Sequence, residues 1–499
     1  MTAPIQRMPK DGVDVLLFTD TNNAYGHGRD VGCYTLAGIL REHGYIVQVV
    51  DFFASLSLDK AKDIVRKYVS SKTRFVGFSA THFSLAKYNL KEELSPYHPQ
   101  VVRKRYRGAK PFPQSSGWIT ELLYFIKQSS HAKIIVGGDK FTHEFNNDLI
   151  DLWVHGRAEK TVLEFMTDTI PSGHVYAEEG NHFNTSQGII WDKSDHLFKD
   201  EFVPIEWARS CIFNCSFCNF TKKRTGEKVK SVDTIKEVLL RNYNEHGLSK
   251  YIVCDPTIND NNERIKALHK MITSLPFDIE FTGYIRVDLI HKFREQRELL
   301  LEMGAKAFHF GIETFNPKTA KAIKKGLHPD KVKELLYYLR ETWENKIVMG
   351  SGFVIGLPYE TKESVYNTFK WLQKPDCPLD AATFIAMYIP EPLYKDIDYS
   401  DISKNPNEFD FDLKDGSYNR WESKEMTHDE ALEISSKFSN DFVNPAYHYY
   451  YSRIRNLGFS HEECLKMKLD YDETYLMTEK IRDKMAKEYH EKLWRIIQW

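Results

Sequence analysis

Short apolar runs alternate with longer amphipathic stretches over most of the chain. Between residues 14 and 165 the runs are Val15–Phe18, Tyr45–Val50, Phe75–Phe78, Lys133–Val136 and Leu152–His155. Helical spacing of apolar residues separates them over Cys33–His43, Leu58–Tyr68 and Trp118–Gln128, with a further helix after Gly156-Arg157-Ala158-Glu159. Apolar runs bounded by turn residues read as strands buried on both faces, and their alternation with helices predicts a parallel sheet covered by helices. The pattern recurs further on. Strands are predicted at Tyr251–Cys254, Ile279–Ile285, Ala307–Ile312, Ile347–Ile355 and Ala382–Met387. Helices are predicted at Ser231–Tyr243, Glu263–Leu275, Arg297–Met303, Lys331–Glu344 and Lys362–Leu372. Beyond Pro390 the alternation stops. Asp396–Tyr418 is acidic and irregular, Met426–Tyr451 and Asp472–Ile497 read as helices, and aromatics crowd there (Tyr447, Tyr449, Tyr450, Tyr451, Trp494, Trp499).

These patterns predict an α/β protein of three parts. Residues 1–170 form a doubly wound, Rossmann-like domain, in which ligands sit at the C-terminal ends of the strands. Residues 171–200, with strand-like Val175-Tyr176 and Ile189–Trp191, read as a linker or hairpin. Residues 201–390 form a partial TIM-like (β/α) barrel, whose catalytic residues emerge at the C-terminal strand ends. Residues 391–499 form a mostly helical cap. A length of 499 residues is consistent with about three domains.

Composition narrows the function. Lys+Arg number 68 against 70 Asp+Glu, a net charge of -2, whereas a nucleic-acid binder usually carries a basic excess on its docking domain. Two basic runs, Val101–Lys110 and Thr221–Lys230, are read as solvated faces, the first with a lesser chance of meeting an anionic substrate or partner. The longest apolar stretch, Ile347–Pro358, is far short of the ~18 residues a membrane span needs. The start, MTAPIQRMPKDG, lacks the apolar core of a signal peptide. With a mean hydropathy of -0.48, the expectation is a cytoplasmic enzyme acting on a small molecule or peptide.

The seven cysteines fall at 33, 211, 215, 218, 254, 377 and 464, and three of them crowd into Cys211-x3-Cys215-x2-Cys218. An odd number in a chain with no secretion signal argues against a disulfide framework. A structural zinc site asks for four ligands, and no second pair stands at finger-like spacing. Three close thiolates without a fourth suit a [4Fe-4S] cluster with one iron left open. A set of buried or zinc-binding thiols is the plain alternative.

The segment RSCIFNCSFC, Arg209 to Cys218, resembles the cluster loop of radical S-adenosylmethionine (SAM) enzymes, with Phe217 as the aromatic residue before the last cysteine. The resemblance implies that Cys211, Cys215 and Cys218 hold a [4Fe-4S] cluster whose open iron chelates SAM, and that one-electron reduction yields a 5'-deoxyadenosyl radical. Phe310–His328 (FGIETFNPKTAKAIKKGLH) is similar to the stretch in which a strand-end glutamate, here Glu313, contacts the nucleoside. Gly352–Thr361 (GFVIGLPYET) resembles the turn against the adenine, which implies a contact at Gly356. Cys254–Asp260 and Tyr284–Ile290 sit where the family places cofactor or substrate contacts, implicating Asp255 and Arg286. Thr225-Gly226-Glu227 matches the family's Gly-Gly-Glu only in part and leaves the contact to the SAM amino group unassigned.

In the first domain, Gly26 and Gly28 lack the G-x-G-x-x-G spacing, since position 31 is Val, which demotes a dinucleotide site. The layout, with Gly137-Gly138 after the fourth strand and GRAE after the fifth, resembles the cobalamin-binding domains attached to radical SAM enzymes. That resemblance implies cofactor contacts at Thr19, Ser79, Gly137, Gly138, Gly156 and Glu159. The Asp-x-His-x-x-Gly signature is absent, because His27, His82 and His155 all lack it, and the attached class generally binds cobalamin without that histidine. The first loop also lacks prolines often seen in the class, and Ser84–Ser116 reads as a long insertion. The implied activity is cobalamin-dependent methylation of an unactivated carbon, with an electron donor such as flavodoxin or ferredoxin. The alternative is a cobalamin-independent radical SAM enzyme, forming C-S or C-C bonds or rearranging its substrate, with a repurposed first domain. A non-catalytic metal protein and a corrinoid- or nucleotide-sensing module are rivals from other classes.

Overall fold

The computed structural model describes residues 12–21, 28–79, 116–138, 148–177, 182–218, 228–389, 399–416, 418, 420–441, 448–456, 458–467 and 471–495. The chain divides into two compact units. The first comprises Met1–Ile205, Asn244–Gly247 and Leu476–Trp499, and the second Glu206–Tyr243 and Leu248–Tyr475.

In the first unit six parallel strands run in the order Val47–Val50, Val15–Phe18, Phe75–Ser79, Lys133–Gly137, Leu152–His155, Gly173–Tyr176. The chain winds one way from Val15–Phe18 and then the other, so its switch point lies between that strand and Phe75–Ser79. Both faces of the first five of these strands in chain order are covered, which is why they read as apolar runs. Phe18 stacks on Phe78 at 5.1 Å, and Phe53 meets Phe18 edge-on at the same distance. The helix Val31–Glu42 starts where it does because the Asp30 carboxylate accepts from the Gly32 and Cys33 amides.

In the second unit the strands Lys250–Val253, Glu280–Ile285, Ala305–Glu313, Val348–Ile355 and Ala381–Ala386 pair in sequence order, all parallel. Aromatic side chains of the sheet pack on its helices. Phe308 and Phe310 meet Trp343 of the helix Pro329–Trp343, and Phe384 meets Phe369 and Phe438 of Lys362–Leu372 and His428–Asp441. Residues at the alternate positions turn to the other face. The α/β class and the parallel sheets are as the alternation predicts.

Two stretches go elsewhere than the pattern suggests. The segment read as a linker, 171–200, belongs to the first unit. Gly173–Tyr176 is the sixth strand of its sheet, Trp191 packs on Tyr34 at 4.8 Å, and Asp195 takes a two-pronged bond from Arg41 at 2.7 and 2.9 Å. Ile189–Trp191 is not a strand. The region read as one cap, 391–499, is divided: residues from Leu476 onward also belong to the first unit. In the helix Tyr471–Arg495, Ala486, Tyr489 and Leu493 join the first unit's apolar core with Val50, Phe52 and Phe53. Helical period was legible there, but a period names a face and not its partner. Most of the insertion Ser84–Ser116, the basic run Val101–Lys110, Thr225–Glu227, Tyr447 and Trp499 lie outside the described residues.

Candidate functional site

The cysteine loop leaves the sheet of the second unit through a short strand. Ala208–Arg209 pairs antiparallel with Lys228–Val229, and the Trp207 carbonyl accepts from the Lys230 amide at 3.0 Å. Trp207 is fully buried, and its amide donates to Asp255 Oδ1 at 2.8 Å. Asp255 thus holds the entry to the loop, its other oxygen lying 3.5 Å from Arg264. The loop is pinned at its middle too. Ser216 Oγ donates to the Ala322 carbonyl at 3.1 Å, which ties the loop to the end of the helix Pro317–Ala322.

None of the loop's three cysteines is in a disulfide; Cys215 is buried, while Cys211 and Cys218 are half-buried. The Cys218 amide donates to the Cys215 carbonyl at 3.2 Å, so these two lie on one tight turn. Arg286 Nη1 donates to Cys215 Sγ at 3.4 Å. The same guanidinium forms a fork with Asp288 at 2.9 and 2.7 Å and lies 3.9 Å from the centroid of the Phe213 ring. Its backbone is fixed by Asn259, which accepts from the Arg286 amide at 2.9 Å and donates to its carbonyl at 3.0 Å. Arg286 thus places a firmly held cation against the buried sulfur. Burial pushes the Cys211 thiol up, against the opposing effect of Thr257, whose Oγ1 lies 3.8 Å from Cys211 Sγ.

Glu313 ends its strand at a register shift, with φ +69°. A non-glycine residue at positive φ is strained, and such strain gathers at functional positions. Its carboxylate meets Lys325 Nζ at 3.3 Å, and Lys325 also donates to the Gly311 carbonyl at 2.7 Å. The same ammonium lies 5.8 Å from the Phe217 ring centroid, so one lysine joins the glutamate to the cysteine loop.

Gly356 is held differently from its neighbours. Its amide donates to Glu360 Oε2 at 3.1 Å, its φ is +86°, and a Cβ there would meet the Trp421 indole at 2.3 Å. Gly356→Ala is therefore expected to lower the unfolding free energy by about 2–3 kcal/mol, from backbone strain and overpacking together, in a urea titration.

Two buried acids tie the strand ends down. Burial pushes Asp255 up to about 7 and Glu360 up to about 8, although Thr314 donates to Glu360 at 2.8 Å. An acid raised in the folded state contributes stability that is complete below its unfolded pKa, about 4, and is lost as pH rises through the folded value. Thermal melts of the wild type are expected to shift downward between about pH 5 and pH 8. In Glu360→Gln, which keeps the acceptor for the Gly356 amide, that fall is shallower.

In the first unit the residues expected at the strand ends separate into two groups. Thr19 Oγ1 and Ser79 Oγ both donate to Asp30 Oδ2, at 2.7 and 2.5 Å, across the switch point. The neighbouring edge is filled from the chain's last helix. Arg482 forks onto Asp20 at 2.7 and 2.9 Å, and Tyr489 OH donates to the Val49 carbonyl at 3.0 Å. Gly137, Gly138 and Gly156 lie further along the same edge, the last two at φ +127° and +88°. Among the described residues, a Cβ on Gly137 would have no heavy atom nearer than 3.9 Å. Glu159 is buried in the first turn of the helix Glu159–Thr167.

Residues 205–372 match the Radical SAM superfamily. They are a radical SAM domain. The family's cofactors are a [4Fe-4S] cluster and SAM, and the donor set fits them: three cysteines on one loop, none in a disulfide, the buried one facing a guanidinium. Among the described residues no three of His, Cys, Asp and Glu close on a single ion, and a cluster, in which each thiolate takes a different iron, does not ask for that. An uncharacterized methyltransferase of Pyrococcus horikoshii is 30% identical over 262 residues, 47% of this chain and 55% of the relative. The chain thus spans about half the length of that relative. The anaerobic magnesium-protoporphyrin IX monomethyl ester cyclase of Rubrivivax gelatinosus is 25% identical over 437 residues, 83% of this chain and 73% of the cyclase. Two solved structures share the fold. The radical SAM methyltransferase TsrM of Kitasatospora setae, with cobalamin and a [4Fe-4S] cluster bound, gives a TM-score of 0.53 at 17% identity, over 75% of this chain and 72% of that one. The cobalamin-dependent SAM radical enzyme OxsB gives 0.53 at 13% identity, over 95% of this chain and 61% of that one. No helix among the described residues is long and apolar enough to cross a membrane.

Thr257, Lys325 and Glu360 were not expected at the site. All three stand inside segments that the sequence singles out, Cys254–Asp260, Phe310–His328 and Gly352–Thr361, though none was given a role of its own.

Proposed function

We propose that the protein is a cobalamin-dependent radical SAM enzyme that methylates an unactivated carbon of a small-molecule or peptide substrate. The observation that carries the radical reading is the buried thiol of Cys215 under the Arg286 guanidinium, between Cys211 and Cys218. When bound, the cluster and SAM supply a 5'-deoxyadenosyl radical, and cobalamin a methyl group. Cys211, Cys215 and Cys218 hold the cluster, and Arg286 offsets the charge of the thiolates. Phe217 and Glu313, joined through Lys325, face the nucleoside. Asp255 and Gly356 position the loop and the strand end through their own hydrogen bonds. In the first unit a flat ring rests at the sheet end carrying Gly137, Gly138 and Gly156, where Gly138 and Gly156 take positive φ, with Thr19, Ser79 and Glu159 beside it. The names of the Pyrococcus relative and of TsrM favour methyl transfer, and those of TsrM and OxsB favour cobalamin. A reductant such as flavodoxin or ferredoxin supplies the electron.

A second reading keeps the radical chemistry without cobalamin. It is favoured by the bonds of Thr19 and Ser79 to Asp30, by Arg482 and Tyr489 on the same edge, and by the cyclase among the relatives. Anaerobic reconstitution separates the readings. Iron near four per chain and 5'-deoxyadenosine from SAM with dithionite are expected, and their absence overturns both. A shifted visible spectrum of bound hydroxocobalamin after gel filtration is expected on the first reading, and an unloaded protein decides for the second.

A further inference from the structure

We propose that the lysines Lys318, Lys321 and Lys324, together with Ile212 of the cysteine loop, form the docking surface for an acidic one-electron carrier protein. The proposal rests on the radical SAM reading and gives the reductant a place on this chain.

From Thr314 to Pro329 the chain carries four lysines and no acid, in a protein whose net charge is -2. The helix Pro317–Ala322 and its cap turn three of them outward. Thr319, Ala320 and Ile323 are buried, whereas Lys318, Lys321 and Lys324 are exposed, and a spacing of three residues puts neighbours on one helix face. The fourth, Lys325, is turned in toward Glu313 and the Gly311 carbonyl. Among the described residues Lys324 pairs with Asp401 at 2.6 Å, while Lys318 and Lys321 meet no carboxylate. Two ammonium charges thus face the solvent without a counter-charge from the chain.

These lysines border the cluster ligands. The Ile323 and Ala322 carbonyls accept from the Ser216 amide and hydroxyl, at 3.4 and 3.1 Å, and Ser216 directly follows Cys215. From the other side Ile402, next to Asp401, donates its amide to the Ser216 carbonyl at 3.0 Å. Lys321 and Lys324 therefore flank the residues that hold the loop between Cys215 and Cys218. At the start of the loop Ile212, directly after Cys211, is 57% exposed. An open apolar side chain with charges around it is the composition of an interface, apolar within and polar at the rim.

A carrier must bring its redox centre close to the cluster, and docking at the loop itself gives a short approach. One electron passes from the reduced carrier to the cluster. The carrier is oxidised by one electron, the cluster is reduced by one, and no atom or proton moves. The basic side of the contact asks for acidic residues on the carrier, which also speed encounter. A nucleic acid fits less well, because three lysines within seven residues neutralise few phosphates.

The test uses anaerobically reconstituted full-length protein, with 5'-deoxyadenosine formation driven in parallel by dithionite and by an acidic flavodoxin reduced to its hydroquinone. Lys318→Glu/Lys321→Glu is expected to slow the flavodoxin-driven rate at limiting carrier about tenfold, through KM for the carrier, with the dithionite-driven rate kept within about twofold. Lys318→Gln/Lys321→Gln is expected to fall between the two. Raising salt from about 0.05 to about 0.3 M is expected to narrow the gap between wild type and the Glu variant, because exposed charges are screened. Lys370→Glu is the control. It lies in the last turn of the helix Lys362–Leu372, at the opposite end of the strands from the loop, and is expected to keep the flavodoxin-driven rate within about twofold. Equal flavodoxin-driven rates in wild type and Lys318→Glu/Lys321→Glu overturn the proposal, as does a wild type that dithionite drives and flavodoxin does not. Inhibition of the wild type by a duplex oligonucleotide, absent in the Glu variant, overturns it too and makes the lysines a nucleic-acid face. No product from the wild type with dithionite refutes the radical reading instead.

Discussion

Cys215→Ala is expected to abolish 5'-deoxyadenosine formation, by at least about 10³-fold, and to cut bound iron after reconstitution to below about three per chain. Three ligands act as one unit, so losing the buried one removes the cluster and not a third of the rate. The change also strips Arg286 Nη1 of its sulfur acceptor, while its fork to Asp288 stays in place. For that reason circular dichroism and the melting temperature are expected to move little. Cys254→Ala is the control: that thiol donates to the Ile252 carbonyl at 3.4 Å, and the variant is expected to keep wild-type iron and activity within about twofold. Iron analysis, the spectrum of the reduced cluster and chromatography of the nucleoside product check all three quantities. Full activity in Cys215→Ala refutes the radical reading and leaves a sensing module as the better account.

Arg29→Met is expected to cost about 3–5 kcal/mol of unfolding free energy, the largest single-residue loss in the first unit. Arg29 is fully buried and gathers chain segments that are far apart in sequence. Its guanidinium meets Glu201 at 2.8 and 3.1 Å, Tyr34 OH at 2.9 Å and the Asp195 and His196 carbonyls at 2.8 and 3.2 Å. Asp51, also fully buried, lies 3.9 Å away. Methionine fills much of the volume but leaves two carboxylates in the interior without their cation, and that is the costly event. The double variant Arg29→Met/Glu201→Leu is expected to recover a good part of the loss, because it removes one of the stranded charges. Urea titrations of the single and double variants measure both effects. A loss under about 1 kcal/mol in Arg29→Met contradicts the assigned role.

The cluster loop was legible because its chemistry is local: three thiols on one short loop must come together whatever the rest of the chain does. The strands were legible because parallel strands covered on both sides are apolar throughout, and Glu313 and Arg286 because each ends such a strand. The partnerships across the fold were not. Arg286 meets Cys215 across 71 residues, and Asp30 collects Thr19 and Ser79 from two different strands. No local pattern encodes a meeting that depends on strand order. Gly356 was marked by its motif as a cofactor contact, yet the space its missing side chain leaves is taken by Trp421, a residue of the region read as a cap. The apolar positions 486, 489 and 493 gave the last helix a face, but that face lies in the sheet built at the other end of the sequence.

That return of the last helix governs the order in which the protein can be made. The first strand leaves the ribosome early, but its sheet lacks Tyr489 and Leu493 until almost all of the chain has emerged. At about 5–20 residues per second the delay is roughly half a minute to a minute and a half. Meanwhile Val50, Phe52 and Asp51 wait without their cover, whereas the radical SAM domain has all its strands by Ala386. The early-synthesised part is thus the late-finished one, with apolar surface open in the interval.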